Sequence, residues 1–174
     1  MNARRLSTSL MLRTFAGAMA IGLIAPALLH GAEARADLAA LVDSMPNADR
    51  SADGKYTGPK PEVALEAVQQ VLKGGKDNIA ALVGMLREPG KGDDYKAHYL
   101  LHATATHVAR PGAEEDRQMV CEALVSTLGG PAPTLVKAHV LEELKWIGGK
   151  ESVAAISKLL LDPELCDFAA RALS

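Results

Sequence analysis

The sequence predicts an all-α fold, a short α-solenoid of about three helix pairs, on three observations. Of the 174 residues 48% are apolar, yet only six are aromatic and 30 are alanine. A core of aliphatics and small side chains suits close-packed helices, whereas a β-sandwich or barrel needs more β-branched and aromatic residues in evenly spaced short strands. From Pro61 onward, apolar residues recur at helical spacing and are punctuated by Gly or Pro. The chain also echoes itself. Gly74-Gly75-Lys76-Asp77-Asn78-Ile79-Ala80-Ala81-Leu82 returns as Gly148-Gly149-Lys150-Glu151-Ser152-Val153-Ala154-Ala155-Ile156, and Lys96-Ala97-His98-Tyr99-Leu100 returns as Lys137-Ala138-His139-Val140-Leu141. Spaced self-similarity of this kind marks a repeat array.

Residues 1–36 read as a secretory signal peptide. Arg4, Arg5 and Arg13 precede an apolar run from Phe15 to Leu29, followed by the small-residue site Ala34-Arg35-Ala36. The run is shorter than the roughly 20 residues a membrane-spanning helix needs, so cleavage is expected after Ala36, with no membrane insertion. Arg4-Arg5 lacks the following phenylalanine and lysine of a twin-arginine signal. Location in the periplasm or outside the cell follows, and the remaining chain carries a formal charge of −5, from 15 basic and 20 acidic residues. No basic face for nucleic acid is implied.

Residues 37–60 read as a short helix, Asp37 to Met45, and a flexible linker rich in Pro and Gly. The repeat domain spans 61–174. Its outer helices are expected at Ile79 to Arg87, Asp116 to Leu128 and Val153 to Leu161, and its inner helices at Tyr95 to Val108, Leu135 to Ile147 and Leu165 to Leu173. Glu62 to Lys73 is an inner helix of a preceding partial repeat. Ile79, Leu82, Val83 and Leu86 form one buried stripe; Val136, Val140, Leu144 and Ile147 form another. Cys121 and Cys166 sit on helices that are not immediate neighbours, which favours two buried free thiols over a bridge.

The segment from Val136 to Leu173 has a basic residue after its first apolar one, an aliphatic helix, a Gly turn, a second short helix and Asp162-Pro163. It resembles HEAT repeats of the type first noted in phycobilin lyases, and the 29-residue step from His139 to Phe168 matches that pattern. The resemblance covers residues 61 to 174 and implies the fold; such repeats serve scaffolds, inhibitors, adaptors and a few enzymes. It implies that lyase chemistry belongs inside the cell, so export argues against it here.

Few residues suggest chemistry. His98 and His102, one turn apart on one face, could chelate a metal, and the 41-residue echo places His139 and Glu143 at matching positions. Neighbouring repeats would hold the two pairs about 8–10 Å apart, too far for one zinc ion, so structural histidines are the expectation. Tyr99 stands where an H-E-x-x-H motif has its glutamate. Gly74-Gly75-Lys76 and Gly148-Gly149-Lys150 lead into helices but are followed by Asp77 and Glu151, which would repel phosphate, so they read as turns. No catalytic motif and no cofactor site is evident.

The expected function is therefore a non-enzymatic scaffold that binds a protein through its inner helices at Lys137, Leu141, Lys145 and Trp146. Trp146 is the only tryptophan; it reads either as a binding anchor or as a lid on the Gly148-Gly149 turn. The C-terminal helix could mediate self-association, although Asp167 and Arg171 give it a polar outer face. The alternative is a small-molecule or metal-binding repeat protein, or a lyase-like enzyme.

Overall fold

The computed structural model describes residues 37–45, 49–50, 56–57 and 61–174. The expected signal peptide, residues 1–36, and most of the expected linker lie outside the described residues. Helix α1 covers residues 37–44. A two-residue antiparallel ladder, β1 (Asp49–Arg50) with β2 (Tyr56–Thr57), follows. The rest is helical: α2 (Pro61–Lys73), α3 (Gly75–Val83), α4 (Tyr95–Val108), α5 (Glu114–Leu128), α6 (Thr134–Ile147), α7 (Lys150–Ser157) with a 3₁₀ turn (Lys158–Leu161), and α8 (Cys166–Leu173). The fold is all-α. Among the described residues no helix is long and apolar enough to cross a membrane.

Local sequence explains these elements. Helix α2 opens on Pro61, whose fixed φ suits a first helical position, and carries Glu62 in its first turn and Lys73 in its last, both favourable to the helix dipole. Its buried face is Ala64, Ala67, Val68 and Val71, the 3–4 spacing of one helical stripe. Glu114, Glu115 and Asp116 crowd the first turn of α5. Gly148 ends α6 with its N–H on the Leu144 carbonyl at 2.6 Å, and a Cβ on this glycine would meet that same oxygen at 2.6 Å. Only glycine fits so close an approach.

The helices form two rows. Helices α2, α4, α6 and α8 pack in succession, as do α3, α5 and α7, and each row packs against the other. One continuous core runs between them through Val68, Leu82, Leu101, Leu124, Leu144 and Ile156. Each such side chain contributes roughly 2 kcal/mol on burial. Helix α1 closes onto the same core through Leu38, Val42 and Met45, and Lys96 Nζ donates to the Asp43 carbonyl at 2.6 Å.

Several boundaries differ from expectation. Helix α3 ends at Val83, because Gly84 leads into a tighter turn and the Arg87 amide donates to Asp94 Oδ2 at 2.7 Å instead of continuing the helix. The last turn after α7 is 3₁₀, and α8 begins at Cys166 after Asp162 Oδ1 accepts the Glu164 and Leu165 amides. Cys121 is buried; Cys166 is only half-buried. Both are free.

The spacing of the inner helices also differs. Helices α4 and α6 start 39 residues apart, at 95 and 134, and end 39 apart, at 108 and 147. Burial follows the same offset: Ala97 with Val136, Leu101 with Val140, Thr104 with Glu143, Ala105 with Leu144, and Val108 with Ile147 are all buried. The 41-residue echo is therefore shifted by two positions, so His98 and His139 do not occupy equivalent places.

Candidate functional site

That two-residue shift makes α6 put a carboxylate into the core. Glu143 takes the place that Thr104 fills in α4 and is 2% exposed. Thr104 satisfies itself by donating Oγ1 to the Leu100 carbonyl at 2.8 Å. A carboxylate has no such local option and needs external donors. His102 supplies one: its Nδ1 lies 3.0 Å from Glu143 Oε2. His139 Nε2 comes within 3.3 Å of Oε1, but the angle is too poor for a hydrogen bond and this buried nitrogen has no partner.

The cluster extends along α4. His98 Nε2 pairs with Asp94 Oδ2 at 2.9 Å, and the His98 and His139 rings meet edge to face with centroids 4.2 Å apart. The expected separation of 8–10 Å between the histidine pairs is thus corrected, because side chains on facing sides of α4 and α6 close the gap between the helix axes. Burial, helped by neighbouring His98 and His102, pushes the His139 pKa down to about 4. Burial also raises the Glu143 carboxyl, against the opposing pull of His102 and His98.

These donors do not converge as metal ligands. His98 and His102, the candidate metal pair, are each engaged by a different carboxylate. The two imidazoles nearest Glu143 address its two separate oxygens. Among the described residues no group of three or more His, Cys, Asp or Glu is arranged to hold a metal ion.

The residues expected to bind a partner separate into two sets. Lys145 and Trp146 are exposed, Trp146 to 57%. Leu141 is fully buried and cannot contact a partner; Lys137 is half-buried in the first turn of α6. The reason is that α6 is flanked by α4, α5 and α8, which leaves open the side that carries Leu135, Glu142, Lys145 and Trp146. Trp146 stands beside the His102 ring at 6.3 Å, with Lys145 Nζ 5.9 Å from its own ring centre. On the neighbouring helix, Arg171 donates to Glu142 at 2.9 Å and lies over the Phe168 ring at 4.7 Å. Arg171 is therefore a tie between α8 and α6.

The glycine-lysine turns hold no free anion cradle. Lys76 pairs with Glu122 at 2.6 Å. Glu151 pairs with Arg117 at 2.7 Å, and its carboxyl lies below the usual range because its own backbone N–H and Arg117 both stabilise the anion. Sequence reasoning weighed Tyr99 only as the residue that breaks an H-E-x-x-H motif and passed over Asp94, His107 and Arg110. The residues at 99, 102, 103 and 106, which share one side of α4 by helical spacing, were the available signal for the face that Tyr99, His102 and Thr106 form. No family model, curated protein or solved structure matches the chain.

Proposed function

We propose that this chain is an exported, non-enzymatic HEAT-like α-solenoid that binds a protein partner through the open side of α4 and α6, centred on Trp146 with Lys145 beside it. The two alternating rows of helices support the repeat reading, and the N-terminal layout supports export with cleavage after Ala36. The observation that carries the binding reading is the exposure of Trp146: a lone tryptophan, 57% exposed, projecting beside an imidazole fixed by a buried acid. Large aromatic side chains dominate binding energetics when a partner desolvates them, and a rigid setting lowers the entropy lost on docking. Leu135 extends the same open stripe.

Affinity capture from an envelope extract, using residues 37–174 and the Trp146→Ala protein in parallel, tests this reading. A partner held by the parent and lost by the variant supports it. Equal capture by both proteins moves the contact elsewhere, and capture by neither removes the scaffold reading.

A further inference from the structure

We propose that the pocket between α2 and α4 binds a small monocarboxylate with an apolar body, its acid group held by His102 and His107 and its tail lying on Leu65 and Val68. The pocket has a volume of about 430 Å³, within the range of small-ligand sites. Its apolar floor comes from α2, as Ala64, Leu65 and Val68, and from Ala103 of α4. The polar side is all α4: Tyr99, His102, Thr106 and His107. Among the described residues no carboxylate lines it.

Both histidines are oriented from behind. Glu143 Oε2 engages His102 Nδ1 at 3.0 Å, which leaves Nε2 as the free ring nitrogen. Arg110 Nη1 lies 3.3 Å from His107 Nδ1. A guanidinium can only donate, so His107 Nδ1 accepts and its ring proton sits on Nε2. Burial, then Arg110, lowers the His107 pKa and favours this neutral form, with a smaller opposing pull from Asp116. His107 is therefore an N–H donor.

Tyr99 adds a phenol, which burial and neighbouring Tyr95 keep protonated by raising its pKa. Thr106 spends its hydroxyl proton on the His102 and Ala103 carbonyls and offers only lone pairs at the edge. A ligand acid that meets His102 Nε2 completes a chain of two acids and one imidazole, with Glu143 on Nδ1, the ligand on Nε2 and a proton taken up with the ligand lying between Nε2 and the new acid. This is the carboxylate–histidine relay that orients a functional imidazole.

The larger groove of about 600 Å³ beside α3 and α5 offers no such selectivity. It sets Glu88 beside Arg87 and Lys91, and Arg87 Nη1 already donates to the Gly84 and Leu86 carbonyls. The α2–α4 pocket shares His102 with the surface beside Trp146, but a small-molecule titration contains no protein partner, so either reading can fail without the other. Trp146 nevertheless reports on it, since its ring lies beside His102.

The test is calorimetric titration of the 37–174 protein with octanoate and with octanol, repeated on His102→Gln and Leu65→Glu, with circular dichroism as the check on folding. Gln keeps an amide to bond Glu143, and Leu65 is exposed, so both variants should fold. Octanoate is expected to bind at least about tenfold tighter than octanol, the difference a charged hydrogen bond makes. His102→Gln should weaken octanoate by about tenfold and leave octanol unchanged; Leu65→Glu should weaken octanoate through like-charge repulsion. The proposal is overturned if octanoate binds no tighter than octanol, if either folded variant retains full octanoate affinity, or if butanoate, octanoate and dodecanoate all fail to bind.

Discussion

Glu143 and His102 join α6 to α4 through a 3.0 Å contact in which the carboxylate is almost wholly buried and the imidazole is half exposed. The pair lies at the boundary between core and open face. The contact is weak evidence for stability, because burying the Glu143 carboxylate forfeits solvation that one bond to a half-exposed ring only partly offsets.

Glu143→Leu tests that balance. Thr104, Ala105 and Leu144 around the equivalent core positions are buried without charge, so a leucine at 143 should fit and leave stability equal or higher by about 1 kcal/mol. Glu143→Ala leaves a void instead and should cost on the order of 2 kcal/mol. Urea denaturation of the three proteins distinguishes these outcomes; a leucine variant weaker than the alanine variant would contradict the assignment of 143 as a core position.

His139 predicts an acid sensitivity. Its folded pKa of about 4 lies below the ordinary 6.5, so the native state favours the neutral ring. The stability this contributes is present above pH 6.5 and is lost as pH falls towards 4, by on the order of 3 kcal/mol. Glu143 works in the other direction, since its raised carboxyl favours the folded state at acid pH and that share is lost as pH rises through the folded pKa. His139→Phe replaces the titrating ring by an apolar one and should flatten the acid limb. Urea midpoints that fall equally in both proteins between neutral pH and about pH 4.5 would contradict this.

Gly148 and Gly129 should respond oppositely to alanine. A Cβ at 148 meets the Leu144 oxygen at 2.6 Å, while nothing lies within 4 Å of a Cβ at 129. Gly148→Ala should therefore cost at least about 1 kcal/mol, and Gly129→Ala, at a helical φ of −82°, should be neutral or stabilising by up to about 1 kcal/mol. Thermal melts of the pair decide the matter, with equal shifts counting against the close approach at 148.

Much of the fold is legible in the sequence where punctuation is strong. Helix α4 runs from Tyr95 to Val108, as expected, because Gly92 and Asp94 precede it and Pro111 and Gly112 follow. The site was harder to read for a physical reason. The echo of Lys-Ala-His at 96 and 137 suggests a 41-residue register, but packing follows the buried pattern at 39. Two residues amount to more than half a helical turn, enough to move Glu143 into the core and Leu141 off the surface. Trp146 keeps its exposed place because it lies one turn from Glu142 on the open side of α6, while Leu144 and Ile147 on the other side are buried.

The proposed export makes a separate prediction. N-terminal sequencing of the protein recovered from the envelope fraction should begin at Asp37; a mature chain starting at Met1 would contradict the signal-peptide reading.

The affinity of the captured partner for the wild-type and Trp146→Ala proteins is the most direct measure of the binding account. Loss of this side chain should raise Kd by at least about fivefold, corresponding to about 1 kcal/mol, with the helical circular dichroism unchanged. An unchanged Kd in a folded variant would contradict the placement of the binding face at Trp146.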